Sequence, residues 1–213
     1  EANMNLIFDF LTSPYNEYST LDIIFEIIAV LMGLLSVWYA KQDKIWVYPS
    51  GMISTAIYVY LLLKAGLLGD FFINAYYFIM SIYGWVFWTQ RNKGLVIHHI
   101  DKMSLTEKKW SFYLFILSIS FVGGVYGFFG KWDSWSAPID TITTAFFFVG
   151  MWLMARKKIA HWIFWIIGDI ISIPLYLYKG LALTSFQYLI FTLIAIFGYI
   201  EWKKVYNNNR QTV

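Results

Sequence analysis

The sequence contains no cysteine, which excludes disulfide bonds and thiolate metal sites. Charge is also scarce, because Asp, Glu, Lys and Arg make up 14% of the chain against about 25% in soluble domains. Hydrophobic residues account for 59% and aromatic residues for 22% of the 213 positions. A soluble chain of this length could not bury so much apolar surface, so we expect lipid to cover the remainder. The net charge of +3 is too small to predict a nucleic-acid partner.

Several kinds of functional motif are missing as well. The sequence has no G-x-S-x-G nucleophile motif and no glycine loop that could hold a phosphate. Two of its three histidines, His98 and His99, fall in a charged loop, so we expect no buried metal site and no cofactor. The first twenty residues lack Lys and Arg, which argues against a signal peptide. Residues 4–11 are short and amphipathic, and we expect them to lie in the membrane interface.

Seven segments are long and apolar enough to cross a bilayer as helices, which takes roughly 20 residues each. Their hydrophobicity is continuous, whereas barrel strands would alternate. The fifth segment is the shortest and contains three threonines. The predicted spans are residues 21–39, 46–63, 71–88, 110–129, 139–154, 161–178 and 185–202.

Basic residues are segregated to one side of these spans. Thirteen of the 16 Lys and Arg residues fall in loops of one side, and only Lys64, Lys131 and Lys179 fall on the other. Cytoplasmic loops carry the excess of positive charge, so the N-terminus is predicted outside and the C-terminus in the cytoplasm. Tryptophans near span ends are predicted to form an interfacial belt, namely Trp38, Trp88, Trp110, Trp132, Trp152 and Trp202.

The chain also resembles itself. A shift of 114 residues places Trp38 on Trp152 and Trp88 on Trp202. In the middle helix a shift of 116 pairs Trp46 with Trp162, which predicts a first connecting loop two residues longer in the second repeat and a next loop two shorter.

Two three-helix repeats joined by one extra helix would point the same way across the membrane. The predicted fold is therefore an all-α membrane protein of seven helices, arranged three plus one plus three with parallel repeats, as in SWEET-type carriers. Such repeats are typical of secondary transporters, although an old duplication retained only for stability would leave the same pattern. The predicted parts are an outer segment 1–20, repeat one 21–88, a cytoplasmic loop 89–109, a linking helix 110–130, repeat two 139–202 and a cytoplasmic tail 203–213.

The sixth span carries the most informative polar pattern. Trp162, Trp165, Asp169, Ser172 and Tyr176 recur along one helical face. A carboxylate inside a membrane costs about 2.5–3.5 kcal/mol on insertion scales, so it is usually functional. Aromatic rings beside it could stack on a planar ligand while the carboxylate balances a cation. Alternatively, Trp162 belongs to the interfacial belt and Asp169 only bonds a neighbouring helix.

Other spans contribute uncharged polar groups. Asn74 and Tyr77 share a face of the third span, and the seventh begins with Gln187 and Tyr188. Amides suit a ligand with an amide or hydroxyls, because they both donate and accept hydrogen bonds. The equally plausible alternative is that they hold helices together.

These residues fall in motifs that resemble the PnuC family of bacterial vitamin transporters, whose best-known substrate is nicotinamide riboside. The resemblance extends over residues 21–204. It rests on W-V-Y-P-S-G at 46–51, N-A-Y-Y at 74–77, A-R-K-K at 155–158 and W-I-F-W-I-I-G-D-I-I-S-I-P-L-Y at 162–176.

The resemblance implies facilitated, alternating-access uptake of nicotinamide riboside, made one-way by phosphorylation in the cytoplasm. It also implies a multi-pass protein of the bacterial inner membrane, surrounded by lipid, with a homo-oligomer possible. The residues implied to line or flank the pocket are Trp162, Trp165, Asp169, Asn74, Tyr77 and Gln187. Tyr188, Thr144 and Trp46 complete the predicted substrate-binding set.

The residues leave other solutes open. Relatives that carry thiamine or riboflavin share the family pattern, and sugar carriers also use parallel three-helix repeats. A phosphorylated substrate would call for a basic pocket, yet no span interior contains Lys or Arg, which favours the nucleoside. A membrane enzyme would need an acid or base paired with Asp169, and none is evident. A receptor would bind ligand without solute flux.

Overall fold

The computed structural model describes residues 19–64, 68–130, 132, 135–178 and 182–211. These described residues form seven helices and one short antiparallel hairpin, β1 (Arg91–Asn92) with β2 (Leu95–Val96). The predicted interfacial segment 4–11 and the two outer lysines Lys131 and Lys179 lie outside the described residues. The helices are α1 Thr20–Lys41, α2 Val47–Lys64, α3 Leu68–Thr89, α4 Leu105–Phe128, α5 Ser136–Ala155, α6 His161–Tyr178 and α7 Ala182–Gln211.

Two helices begin at capping boxes that a search for apolar runs does not detect. At the start of α1 the Ser19 hydroxyl accepts from the backbone N–H of Asp22, whose side chain in turn accepts from the backbone N–H of Ser19. Ser104 and Glu107 form the same arrangement before α4. Each box satisfies backbone donors that the first helical turn leaves free. The linking helix therefore begins at Leu105, earlier than the predicted 110.

Six of the helices form a ring. Contacts run from α1 to α2, α2 to α3, α3 to α5, α5 to α6, α6 to α7 and back from α7 to α1. The linking helix α4 packs mainly on α5, outside this ring. Two interfaces, α3 with α5 and α1 with α7, join the two halves of the chain, so the interior of the ring is shared between them.

Six helices have the length and apolar composition of a membrane span, and α2 is the exception. Small polar residues lower the mean hydropathy of this helix. Three of them, Ser50, Ser54 and Thr55, are buried against the neighbouring helices. The hydroxyls of these three residues donate to backbone carbonyls, which removes the cost of burying them. In the fifth predicted span, α5, 61% of the residues in the most apolar stretch are buried, a larger share than in the other five candidate spans.

The two halves correspond at one constant offset. Both α2 and α3 begin 114 positions before α6 and α7, and α1 and α2 end 114 positions before α5 and α6. The predicted two-residue differences in loop length are therefore wrong. Those differences followed from pairing Trp46 with Trp162, whereas the structure places Tyr48 at the position equivalent to Trp162.

The turns between the first two helices of each half are alike in hydrogen bonding. The N–H of Asp43 bonds the Ala40 carbonyl at 3.1 Å, and the N–H of Lys157 bonds the Met154 carbonyl at 2.9 Å. Asp43 and Lys157 also share a left-handed backbone, with φ of 53° and 56°. These equivalent residues meet, since Lys157 Nζ lies 2.7 Å from Asp43 Oδ1. Equivalent turns thus lie at the same end of the ring, as expected of halves that run in the same direction. We call this end, where residues 42–46, 90–104 and 156–160 meet, the basic end.

Two tryptophans of the predicted belt are instead buried at the basic end. Trp88 is 4% exposed and Trp202 is 1% exposed. Trp88 donates its indole N–H to the Ala155 carbonyl at 3.1 Å, and Trp202 donates to the Ala40 carbonyl at 2.9 Å. Each therefore ties its own half to the other. Trp38, Trp110 and Trp132 are exposed, as a belt requires, and Trp152 is half-buried.

Candidate substrate site

The α6 face that the sequence singled out points into the interior of the ring. Asp169 is 4% exposed and Ser172, one turn later, is 1% exposed. Among the described residues no group donates a hydrogen bond to the Asp169 carboxylate, and the Ser172 hydroxyl has no partner. Buried polar groups normally find partners because leaving one unpaired costs about 1–3 kcal/mol. Two adjacent exceptions on one face indicate groups that a ligand would satisfy.

Tyrosines from the facing helices surround this carboxylate. Tyr77 on α3 and Tyr188 on α7 lie near the Asp169 carboxyl group. Tyr188 also hydrogen-bonds Tyr176 and stacks on it, with ring centres 5.1 Å apart. Helices of both halves therefore bring three residues of the predicted set, Tyr77, Asp169 and Tyr188, close together in the ring interior.

The most buried helix, α5, supplies aromatic side chains to the same region. Phe148 stacks on Tyr76 with ring centres 4.1 Å apart and meets Tyr77 edge-on at 6.1 Å. The neighbouring Phe147 stacks on Tyr188 at 5.9 Å. Thr144, one helical turn before these two residues, is buried on the same side of α5. The site therefore has flat apolar surfaces around a single carboxylate.

The tryptophans of α6 lie nearer the basic end. Trp162 is fully buried and meets Trp165 edge-on at 5.5 Å and Trp202 at 5.9 Å. The buried ring of His161 lies against all three and hydrogen-bonds the Lys158 carbonyl at 2.8 Å through Nδ1. This packing differs from the predicted alternative of an interfacial belt for Trp162. Trp165, which is half-buried and lies one turn closer to Asp169, is better placed to contact a ligand.

Three predicted residues remain. Asn74 lies one helical turn before Tyr77 and Gln187 lies beside Tyr188, and both are half-buried. Trp46 is 61% exposed and lies just before α2, apart from the other candidates. Its side chain is therefore mostly exposed, whereas that of Tyr48, two residues later, is fully buried.

Sequence reasoning missed Tyr76, Phe147 and Phe148. Tyr76 lies within the N-A-Y-Y motif, so its position was visible although its role was not. The two phenylalanines belong to the run 146–148, in which three identical residues give no periodic signal to separate the inward rings from the outward one. Only the ring contacts of Phe148 with Tyr76 and Tyr77, and of Phe147 with Tyr188, identify them.

Basic residues of the described ring helices lie towards the helix ends. Lys41 and Lys64 are the last residues of α1 and α2, and Lys203 follows the buried Trp202 on α7. In the described parts of the six ring helices, no Lys or Arg lies between these ends. The same residues include no cluster of three or more His, Asp or Glu side chains that could hold a metal ion.

Known proteins are similar to this chain in sequence over most of its length. The sequence model of the family described as nicotinamide mononucleotide transporter matches residues 23–204. Two relatives are 24% identical: the nicotinamide riboside transporter PnuC of Escherichia coli K12, with 83% of this chain and 84% of the relative covered, and the riboflavin/roseoflavin transporter RibM of Streptomyces davaonensis, with 83% of each. A third, the nicotinamide riboside transporter PnuC of Neisseria mucosa, is 25% identical over 84% of this chain and 71% of its own length.

The fold is also found among solved structures. The crystal structure of the vitamin B3 transporter PnuC superposes with a TM-score of 0.65 at 20% identity, over 89% of this chain and 84% of that one. The apolar helices, the shared interior of the ring and the family match agree with one another. This chain therefore belongs to the PnuC family of vitamin transporters and is a multi-pass membrane transporter rather than an enzyme.

Proposed function

We propose that this protein carries nicotinamide riboside across the bacterial inner membrane by facilitated diffusion. The observation that carries the proposal is Asp169, a buried carboxylate without a hydrogen-bond donor among the described residues, set among aromatic rings in the ring interior. The pyridinium ring of nicotinamide riboside is flat and positively charged. Its positive charge would balance the negative charge of the carboxylate, and its flat face would stack on the surrounding aromatic rings.

The absence of basic groups bears on the phosphorylation state of the substrate. Phosphate is recognised through Arg, Lys or clustered backbone N–H groups. The described interior of the ring contains no Lys or Arg, and the carboxylate would repel a phosphate. The nucleoside is therefore the better substrate, although the family description names the mononucleotide.

Counterflow in proteoliposomes tests the substrate directly. Vesicles loaded with unlabelled nicotinamide riboside should accumulate the labelled compound transiently, while vesicles loaded with nicotinamide mononucleotide should not. Protein-free vesicles provide the baseline. Exchange of the mononucleotide at a rate equal to that of the nucleoside would contradict the assignment.

Riboflavin is the second candidate, because a relative of equal identity is named for it. Riboflavin is neutral, so it would gain nothing from the charge of Asp169. Sugars and thiamine can be compared in the same assay. Exchange of riboflavin, without exchange of nicotinamide riboside, would make it the substrate.

We further propose that the basic end faces the cytoplasm. The loops that meet there contain Lys44, Arg91, Lys93, Lys157 and Lys158, and cytoplasmic loops attract such residues. Substrate released at this end would be trapped by phosphorylation, since the ring interior does not suit a phosphate. The two parallel repeats would then open the ring alternately at its two ends.

We propose that a latch between the repeats holds the basic end closed. It consists of the Asp43–Lys157 ion pair, with Lys157 Nζ also 4.2 Å from the centre of the Trp88 ring. Burial raises the pKa of Asp43, and the Lys157 ammonium opposes this effect. The pair joins equivalent turns of the two halves, so opening the basic end would have to separate them.

Breaking the latch should expose the ring interior from the basic end. The sequence contains no cysteine, so a Ser172→Cys reporter beside Asp169 in the ring interior can be read without background. Asp43→Asn should increase its labelling by an impermeant maleimide about three- to tenfold in inverted vesicles, corresponding to a pair worth roughly 1 kcal/mol. The exchanged pair Asp43→Lys with Lys157→Asp should restore the slow rate. Equal labelling of all three proteins would mean that the pair does not hold this end closed.

A further inference from the structure

A cavity lies at the basic end, apart from the Asp169 site. Its volume is about 420 Å³, and it lies between the α1–α2 turn, the end of α3, the hairpin region, the α5–α6 turn and α7. The side chains that carry charge or imidazole there are Asp43, Arg91, His98, His99 and Lys157. Ile45, Ile100 and Val205 supply apolar walls. Its chemistry is thus the opposite of that of the interior site, which has one carboxylate and no cation.

The balance of charge in this cavity is positive. Asp43 is its one carboxylate among the described lining residues, and Lys157 already neutralises it at 2.7 Å. Arg91 donates Nη1 only to the carbonyls of Trp88 and Gln90, at 3.2 Å each, and has no carboxylate partner among the described residues. Its remaining N–H groups are available for a ligand, since a guanidinium has five donors.

Two histidines add imidazole nitrogens to the cavity lining. His98 stacks on Phe87 with ring centres 3.5 Å apart and shares a hydrogen bond with the Gln90 side chain at 2.8 Å. Partial burial and then the nearby cations Arg156, Lys157 and Lys158 lower the pKa of His98. The same field that disfavours a proton on this ring would favour an anion beside it.

We propose that this cavity binds a phosphate group at the cytoplasmic end of the transporter, held mainly by Arg91 with Lys157 and the His99 ring beside it. A phosphate monoester or diester fits this set, because each has two unesterified oxygens that a guanidinium can bind at once. The phosphate belongs either to a soluble phosphorylated metabolite or to the headgroup of an anionic lipid. This site is separate from the one proposed for nicotinamide riboside. A negative result for phosphate binding would therefore leave the substrate assignment unaffected.

The ligand would also act on the latch. The cavity is built from both halves of the chain, and Lys157 belongs to it and to the ion pair with Asp43. A group bound across both halves has more contacts when the basic end is closed, so its occupancy shifts the transporter toward that state.

Direct binding to the full chain in nanodiscs of zwitterionic lipid tests the site. Labelled ribose 5-phosphate is the probe, and labelled ribose is its matched control without the phosphate. We expect one saturable site for ribose 5-phosphate and none for ribose. Arg91→Gln should weaken binding about tenfold, the loss expected for one charge-assisted contact. Lys44→Gln removes the same charge from an exposed neighbouring position that does not line the cavity, and should change binding less than twofold.

A parallel arm identifies the source of the phosphate. If ribose 5-phosphate does not bind but native mass spectrometry shows retained phosphatidylglycerol that Arg91→Gln releases and Lys44→Gln does not, the ligand is the lipid headgroup. Absence of both kinds of binding would overturn the proposal. Equal losses in Arg91→Gln and Lys44→Gln would also overturn it, because they would show a diffuse charge effect and no built site.

Discussion

Replacement of Asp169 by asparagine should reduce the exchange of nicotinamide riboside at least tenfold while leaving thermal stability unchanged or higher. The carboxylate is buried and lacks a donor among the described residues, so its charge destabilises the empty protein. The asparagine side chain has nearly the same shape but no charge. A charge-assisted contact with the cationic ring contributes about 1.5–3 kcal/mol, which corresponds to roughly ten- to hundredfold in affinity. Counterflow rates and thermal unfolding in detergent measure the two effects together.

Asp22 provides the matched control, because it is also a buried carboxylate but has partners. It accepts from the Ser19 cap and from Lys64, with Lys64 Nζ 2.5 Å from Oδ2. Asp22→Asn should therefore lower thermal stability and leave the affinity for the substrate unchanged. A variant Asp169→Asn that unfolds earlier than wild type and still exchanges at the normal rate would show that Asp169 is structural.

Alanine at Gly84 or Gly198 should destabilise the protein by about 3 kcal/mol, at the upper end of the range for overpacking. A Cβ at Gly198 would lie 2.5 Å from Cζ2 of Trp162, and one at Gly84 would overlap the Tyr48 ring. Neither ring has room to move, since both are fully buried. Tyr48 meets the buried Trp88 edge-on, and Trp162 meets the buried Trp202 in the same way. The loss should appear as a lower unfolding temperature and a lower yield of monodisperse protein.

The linking helix offers a neutral comparison for these two glycines. Apart from its chain neighbours and the backbone of its own helix, no described atom lies within 4 Å of the Cβ position at Gly124 in α4. Gly124→Ala should therefore be tolerated, and the better helix propensity of alanine favours it by up to about 1 kcal/mol. Tyr48→Val should partly rescue Gly84→Ala by making space. If Gly84→Ala and Gly124→Ala have the same stability, the contact with Tyr48 is not tight.

The sequence was most reliable where a membrane restricts the possibilities. Each predicted span overlaps a helix, because a bilayer leaves backbone polar groups no partners except those within the helix. Helix ends were less reliable. The start of α4 at Leu105 depends on the Ser104–Glu107 capping box, a polar signal that hydrophobicity does not record.

The repeat was visible in the sequence, but its register was not. Sequence identity favoured pairing Trp46 with Trp162, whereas the structure pairs Tyr48 with Trp162, each packed against a glycine of the next helix. Two large aromatic rings of different kind can occupy equivalent positions, because what the packing requires is a flat side chain opposite a residue without a Cβ. Residue identity alone does not carry that requirement.

By itself the sequence determined that this is a seven-helix membrane protein, that its basic loops share one side and that Asp169 is its most unusual polar residue. Only the tertiary structure decided which rings surround that carboxylate, that Trp88 and Trp202 are buried ties between the halves and that Asp43 meets Lys157. The physical reason is that apolar length and charge are properties of single segments, which a sequence records directly. Contacts across a ring depend on how six helices pack against one another, and that arrangement exists only once the chain has folded.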